Sequence, residues 1–194
     1  KLIQLIEYIG ADYKEAVQQG QVVNAAEFAE MQEFASLIPD HPDCTDADRV
    51  FGILRSVLFL GRHREMAASH PDQVGPNIHR QIEEGLSYTV TDVAWALARQ
   101  SAMYRSWQEF FERYDLLVTP AITISPRPWR ELYPAEIDGQ PTQSYYHWLA
   151  LAYAVTNVGH PAISLPCGRD TAGMPFGLQV VGRFRGDLAL LTDG

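Results

Sequence analysis

Phe111-Glu112-Arg113-Tyr114-Asp115-Leu116-Leu117-Val118-Thr119-Pro120 is where the chain changes its periodicity. Before it, Val90, Val93, Leu97, Tyr104, Trp107, Phe111 and Tyr114 recur at helical spacing. They make a wide aromatic stripe that a large packing surface must cover. From Asp115 the pattern becomes a short continuous apolar run stopped by Pro120. Such a run reads as a strand buried on both faces. Proline has no amide hydrogen to extend a ladder, so the strand should end there. The chain therefore reads as mostly helical at the front and mixed at the back.

Working outward, Thr89 with Asp92 reads as a capping pair that starts the long helix. Thr45 with Asp48 reads as another, ahead of Val50, Phe51, Leu54, Val57, Leu58 and Leu60. A shorter helix is expected from about Pro76 to Glu84, stopping at Gly85. After Pro120, residues 120–142 are proline-rich and contain Asp138-Gly139, so they read as a long loop. Residues 145–155 are apolar almost all round, which predicts a buried helix. Residues 162–165 and 177–182 read as two further strands, separated by turn signals at Cys167-Gly168 and Ala172-Gly173. Gly159 and Pro161 bracket a tight lead-in to the first of them. Gly177 and Gly182 sit at strand edges where a side chain would crowd a neighbour. Gly186-Asp187 starts a last helix.

The 194 residues are enough for one domain or slightly more, and 46% hydrophobic with 20% charged residues fits a globular chain. Two cysteines, Cys44 and Cys167, exclude a disulfide scaffold and a four-cysteine zinc site. A formal charge of −9 argues against nucleic acid or an anionic membrane as partner. No apolar run approaches the eighteen residues of a spanning helix, and no secretory pattern opens the chain. Residues 1–40 carry two lysines against seven acidic residues, a net −5. Every basic residue after Lys14 is arginine. This shift suggests a boundary near Pro39-Asp40-His41-Pro42, whose prolines would break a helix. Starting at Lys1 and ending at Gly194 in mid-pattern, the chain is expected to be a piece of a longer one.

Three stretches carry a family resemblance. They are 111–120, then Asn157-Val158-Gly159-His160-Pro161-Ala162-Ile163-Ser164-Leu165-Pro166-Cys167-Gly168, then Gly173-Met174-Pro175-Phe176-Gly177-Leu178-Gln179-Val180-Val181-Gly182-Arg183. In that order and at those separations they resemble the carboxy-terminal part of the amidase signature family. Asp48-Arg49-Val50-Phe51 and residues 77–85 resemble it too. The resemblance covers about 43–194. It implies an incomplete α/β fold, a partial mixed sheet flanked by helices. The activity it implies is hydrolysis of a carboxylic amide of a small molecule, through a serine acyl-enzyme. In the family a serine nucleophile works with a second serine and a lysine, and a Gly-Ser-rich stretch holds the oxyanion. No metal or organic cofactor is implied. Those parts are missing here: no two serines are adjacent, and residues 43–194 contain no lysine. No catalytic residue is therefore assigned, and the chain is expected to be inactive alone.

The front of the chain has another look. Residues 5–13, Gly20-Gln21-Val22-Val23-Asn24 and residues 27–35 resemble the amino-terminal region of iron-permease-type transporters, over about 2–38. Leu2, Ile3, Leu5, Ile6 and Ile9 predict one short helix there. Asn24 with Glu27 predicts the start of a second. Residues 1–40 thus read as a helical segment joined to the amidase portion. An alternative function follows: a cation-binding or protein-interaction module acting through the acidic helix with Glu27, Glu30 and Glu33. The plainer reading of those three is a solvated acidic face. The amidase portion implies the cytoplasm and the front the periplasmic side; the cytoplasm is favoured. A homo-oligomer is left open.

Tyr153, Thr156 and Asn157 are the candidate substrate-binding residues, because polar groups there interrupt the end of a buried helix. The competing reading of the asparagine is that it satisfies a backbone turn. His63, His70 and His79 lack a metal-ligand spacing, and His147 and His160 read as surface or capped histidines. Cys167 lies just before a glycine turn and reads as structural.

Overall fold

The computed structural model describes residues 41–137, 139–169 and 173–193. The expected helices at 2–10 and 24–38, with Glu27, Glu30 and Glu33, lie outside the described residues, as do Pro39 and Asp40 of the boundary expected near Pro39-Asp40-His41-Pro42.

Helix α1 spans Ala47–Ser69. Its start differs from expectation. Thr45 and Asp48 do not cap it; Asp46 takes the N-cap position without a side-chain bond. Tertiary partners have captured the local groups. Asp43 accepts the Thr45 amide at 2.9 Å, and Arg99 donates to Asp43 at 2.9 Å and to Asp46. Asp48 accepts the Tyr153 hydroxyl. Burial would push the Asp43 carboxyl up, but hydrogen bonds from Thr45 and the Arg99 guanidinium outweigh it and hold the group below its ordinary range.

Helix α2 spans Pro76–Ser87, with proline in the first turn where the missing amide costs nothing. Gly85 does not stop this helix. It is buried inside it, and a Cβ there would lie 2.5 Å from the Ser56 carbonyl oxygen. The glycine lets α2 approach the α1 backbone closely, which is a packing requirement rather than a cap. Ser56 Oγ also donates to Glu84 at 3.2 Å across the same joint.

Helix α3 spans Val90–Arg113 and opens with the expected capping box. Thr89 Oγ1 accepts the Asp92 amide at 3.2 Å, and Asp92 accepts the Thr89 amide at 2.9 Å. The expected stripe is only partly inside. Trp107 and Phe111 are buried, but Val90 is 86% exposed and Leu97 50%. Ala96, Met103 and Phe110 are buried instead. The row that faces the core is the neighbouring one, Ala96-Met103-Phe110, one position before Leu97-Tyr104-Phe111.

Strand β1 is Leu117–Pro120. A short hairpin, β2 Glu136–Ile137 with β3 Gln140–Pro141, interrupts the long loop, turning at Gly139 with φ 68°. Such a left-handed backbone suits glycine. Helix α4, Ala150–Val158, follows a single 3-10 turn and ends on Gly159, φ 67°. It is not apolar-buried all round, since Ala152 and Thr156 face outward. Strands β4 Ala162–Arg169 and β5 Pro175–Val181 come next, then helix α5, Asp187–Asp193.

The sheet order is β1-β5-β4, every pairing antiparallel. Opposed residues share a face, so Leu117, Thr119, Gln179 and Val181 lie together and are buried. Leu117 and Val181 join Val50, Met103, Trp107 and Tyr153 in the main core, between this face and the helices. Val118 lies on the other face and is 52% exposed, so β1 is not buried on both sides as its apolar run suggested. His160 is buried rather than at the surface. Its Nδ1 donates to the Gly182 carbonyl at 2.8 Å, and Nε2 meets the Gln108 amide at 3.1 Å. Burial lowers its proton affinity despite the Gly182 bond. It packs as a neutral ring on Phe111 and Trp107.

Candidate functional site

The long connection from β1 to α4 does more than link them. It folds over the end of the β4–β5 hairpin and leaves a cleft of about 620 Å³. That volume suits a small molecule. Ile124, Trp129 and Leu132 come from the connection, Trp148 from the turn before α4, and Leu165 and Phe176 from the hairpin. The connection is held in place by Thr123 Oγ1, which donates to the Trp148 carbonyl at 2.6 Å, and by Trp148 Nε1, which donates to the Tyr145 carbonyl at 2.8 Å. The floor depends on Gly177: a Cβ there would stand 2.8 Å from the Leu165 carbonyl oxygen and 3.0 Å from Ser164 Oγ. The crowding expected at Gly177 from its place at a strand edge is therefore real.

The cleft's polar groups are few. Ser164 offers a hydroxyl. Arg127 and Glu131 belong to the wall but are paired with each other, Nε to Oε2 at 2.9 Å and Nη2 to Oε2 at 2.8 Å.

The three residues singled out from sequence lie elsewhere. Tyr153 is 3% exposed and donates to Asp48. Burial, and then the Asp48 carboxylate, raise its hydroxyl pKa well above the ordinary value, so it stays a phenol. Asn157 is buried; its Nδ2 donates to the Ala47 carbonyl at 2.9 Å, and its own carbonyl accepts the Gln100 amide at 2.8 Å. Tyr153 and Asn157 therefore bind α4 to the start of α1. Thr156 is exposed and returns its hydroxyl to the Ala152 carbonyl at 2.9 Å. Thr156 and Asn157 border a second hollow of about 590 Å³, beside Gln100, Arg105 and Phe184; Tyr153 does not line it.

The chemistry within reach is limited. Cys44 is pushed up to about 11 by burial and then by Asp43, which leaves a poor nucleophile. Cys167 is exposed at an irregularity in β4. Ser56 is wholly buried on Glu84. Ser69 Oγ lies 2.9 Å from His70 Nδ1, but it is exposed and also donates to the Glu65 carbonyl at 2.9 Å. Ser164 borders the cleft, where no lysine or histidine is among the described lining residues. A hydroxyl without a base is a weak nucleophile. Among the described residues, no three His, Cys, Asp or Glu side chains gather to hold a metal ion, and no helix is long and apolar enough to cross a membrane.

A family model described as Amidase matches residues 47–191. The chain belongs to the amidase family. Among curated amidase relatives, the acylamidase of Rhodococcus erythropolis is 32% identical over 111 residues, 57% of this chain and 23% of that protein. The fatty acid amide hydrolase of Medicago truncatula is 35% identical over 99 residues, 50% of this chain and 16% of that one. The chain thus spans less than a quarter of the length of these relatives. A crystal structure of an amidase superposes with a TM-score of 0.71 at 21% identity, over 91% of this chain and 42% of that one. A 6-aminohexanoate cyclic dimer hydrolase complexed with substrate gives 0.63 at 22% identity, over 78% and 35%. These likenesses are of fold. They agree with an α/β portion of the amidase architecture over the described residues.

Proposed function

We propose that this chain is the carboxy-terminal portion of an enzyme that hydrolyses carboxylic amides through a serine acyl-enzyme, and that the 194 residues alone do not turn over. The observation that carries this is a mismatch. Residues 47–191 match the amidase model, yet no lysine follows Lys14, and among the described residues that line the cleft Ser164 is the one serine and there is no lysine or histidine. In this reading the portion supplies a wall of the substrate site. The nucleophile and its lysine belong to a preceding segment of the amidase architecture, which residues 1–40 do not resemble. No metal or organic cofactor takes part. The substrate is a small-molecule amide; the named relatives include an acylamidase and a fatty acid amide hydrolase, so membership alone does not fix its class. Localisation is proposed as cytoplasmic.

A chimera tests the reading. Residues 47–191 would replace the matching stretch of the Rhodococcus erythropolis acylamidase. A cooperatively melting chimera that releases amine from an acyl amide supports it. A folded chimera without turnover would overturn it.

A further inference from the structure

The hollow beside the end of α4 differs from the cleft in place and in charge. It lies beyond the Ala162–Val181 pair, at one end of the β4–β5 hairpin, whereas the cleft reaches Pro166 and Gly177 at the other. Its volume of about 590 Å³ suits a small molecule. Arg105 of α3 is exposed in its wall and has no ion-pair partner among the described residues. No described carboxylate lines the hollow; Glu109, one turn along α3, and Asp187, at the start of α5, both lie outside the lining. Arg185 adds a second positive charge beside the wall, its guanidinium 5.4 Å from the Phe184 ring centre. The carbonyl end of α4 would oppose an anion, but it is largely occupied. The Gly159 amide donates to the Val155 and Thr156 carbonyls at 3.0 and 3.3 Å, and Gln100 Nε2 donates to the Asn157 carbonyl at 2.8 Å.

The apolar part of the hollow is aromatic. Phe184 stands edge-on to Tyr104 with ring centres 5.2 Å apart, and it lies against Gly159, where a Cβ would come within 3.6 Å of it. A third flat ring can add to such a pair. Ser101 and Thr156 give their protons to the Leu97 and Ala152 carbonyls, both at 2.9 Å. What they have left to offer is lone pairs, which suit a hydroxyl on the ligand rather than a second carboxylate.

We infer that this hollow is a second ligand site, separate from the cleft, and that it takes a small aromatic carboxylate. Arg105 holds the carboxylate, the Tyr104–Phe184 pair takes the ring, and a hydroxyl on the ring donates to Ser101 or Thr156. Arginine suits this task because its planar fork matches a carboxylate and no partner has to be displaced first. None of these contacts depends on the amidase reading, so an inactive chimera would leave the site untouched.

Binding to the full 194-residue chain tests this without turnover. Calorimetric titration with 4-hydroxybenzoate should saturate. The neutral isostere 4-hydroxybenzamide should bind about fivefold or more weakly than the acid, and inorganic phosphate, an anion without a ring, should give no saturable heat. Arg105→Gln should bring the acid down to the level of the amide and leave the amide unchanged. Its melting temperature should match the parent's, because the side chain is exposed. Amide chemical shifts recorded during the titration should move at Ser101, Gly159 and Phe184 and stay still at Gly177 in the cleft. A merely structural arginine would produce neither the acid-to-amide difference nor that map. Equal binding of acid and amide, or acid binding that ignores Arg105→Gln, overturns the inference. So do phosphate binding as tight as the acid's, shifts that gather at Gly177, and the absence of any saturable heat from 4-hydroxybenzoate.

Discussion

The helical side of the molecule and the sheet-and-loop side differ in where they leave their large aromatic residues. On the helical side Val50, Ile53, Met103 and Trp107 are at most 1% exposed, and even a glycine is placed so that α1 and α2 can touch. On the other side Val118, Trp129, Phe176 and Leu188 are 52%, 83%, 42% and 78% exposed. Composition does not explain the contrast, because both sides are rich in large apolar residues. Partners do. The first side buries its aromatic core among the described residues and exposes only aliphatic side chains such as Leu58, Val90 and Leu97, whereas the second exposes Trp129 and Phe176, surface fit to bind something else. Stability should therefore reside in one side and recognition of the amide in the other.

The largest expected effect is at the centre of the helical core. Trp107→Ala should cost about 3–5 kcal/mol in a denaturant melt, whereas Trp129→Ala should stay within about 0.5 kcal/mol. Equal losses would erase the contrast. Next comes the α1–α2 joint. Gly85→Ala must push apart two backbones and should cost about 1–3 kcal/mol. Gly61→Ala, in the same helix pair but with nothing within 4 Å of its new Cβ, should be neutral or stabilise by up to about 1 kcal/mol. Thr89→Ala removes the capping box and should cost about 1 kcal/mol.

The smallest effect is one of pH. His160 has its folded proton affinity depressed by burial, so the unfolded chain binds the proton more readily. Its contribution to stability is then complete above the unfolded value of about 6.5 and declines as pH falls below it. Melting temperature should fall from about pH 7 to about pH 5 by more in the parent than in His160→Gln. A parallel fall in both would show that the ring is not held neutral.

The same contrast explains what is legible in the sequence. The Thr89–Asp92 cap, the strand ending at Pro120 and the crowding at Gly177 are decided by neighbours close in sequence or by one backbone contact, and they can be read directly. Thr45 and Asp48 look just as good a cap, but Arg99 and Tyr153, far along the chain, reorganise that turn. Asn157 does satisfy backbone, though that of α1 rather than a local turn. The cleft is hidden from sequence because its parts lie at 122–132, 148, 164–166 and 175–177 and meet only after β4 pairs with β5. Its sequence trace is the density of proline, with Trp129 among them, in a loop that looks merely long.

The central proposal is that the described residues offer a wall for an amide and no activated hydroxyl to attack it. Ammonia or amine release from a panel of simple amides and anilides by the purified 194-residue chain tests it most directly. No release above a heat-unfolded control is predicted. Turnover that follows the chain through purification and is abolished by a serine-directed inhibitor would contradict it.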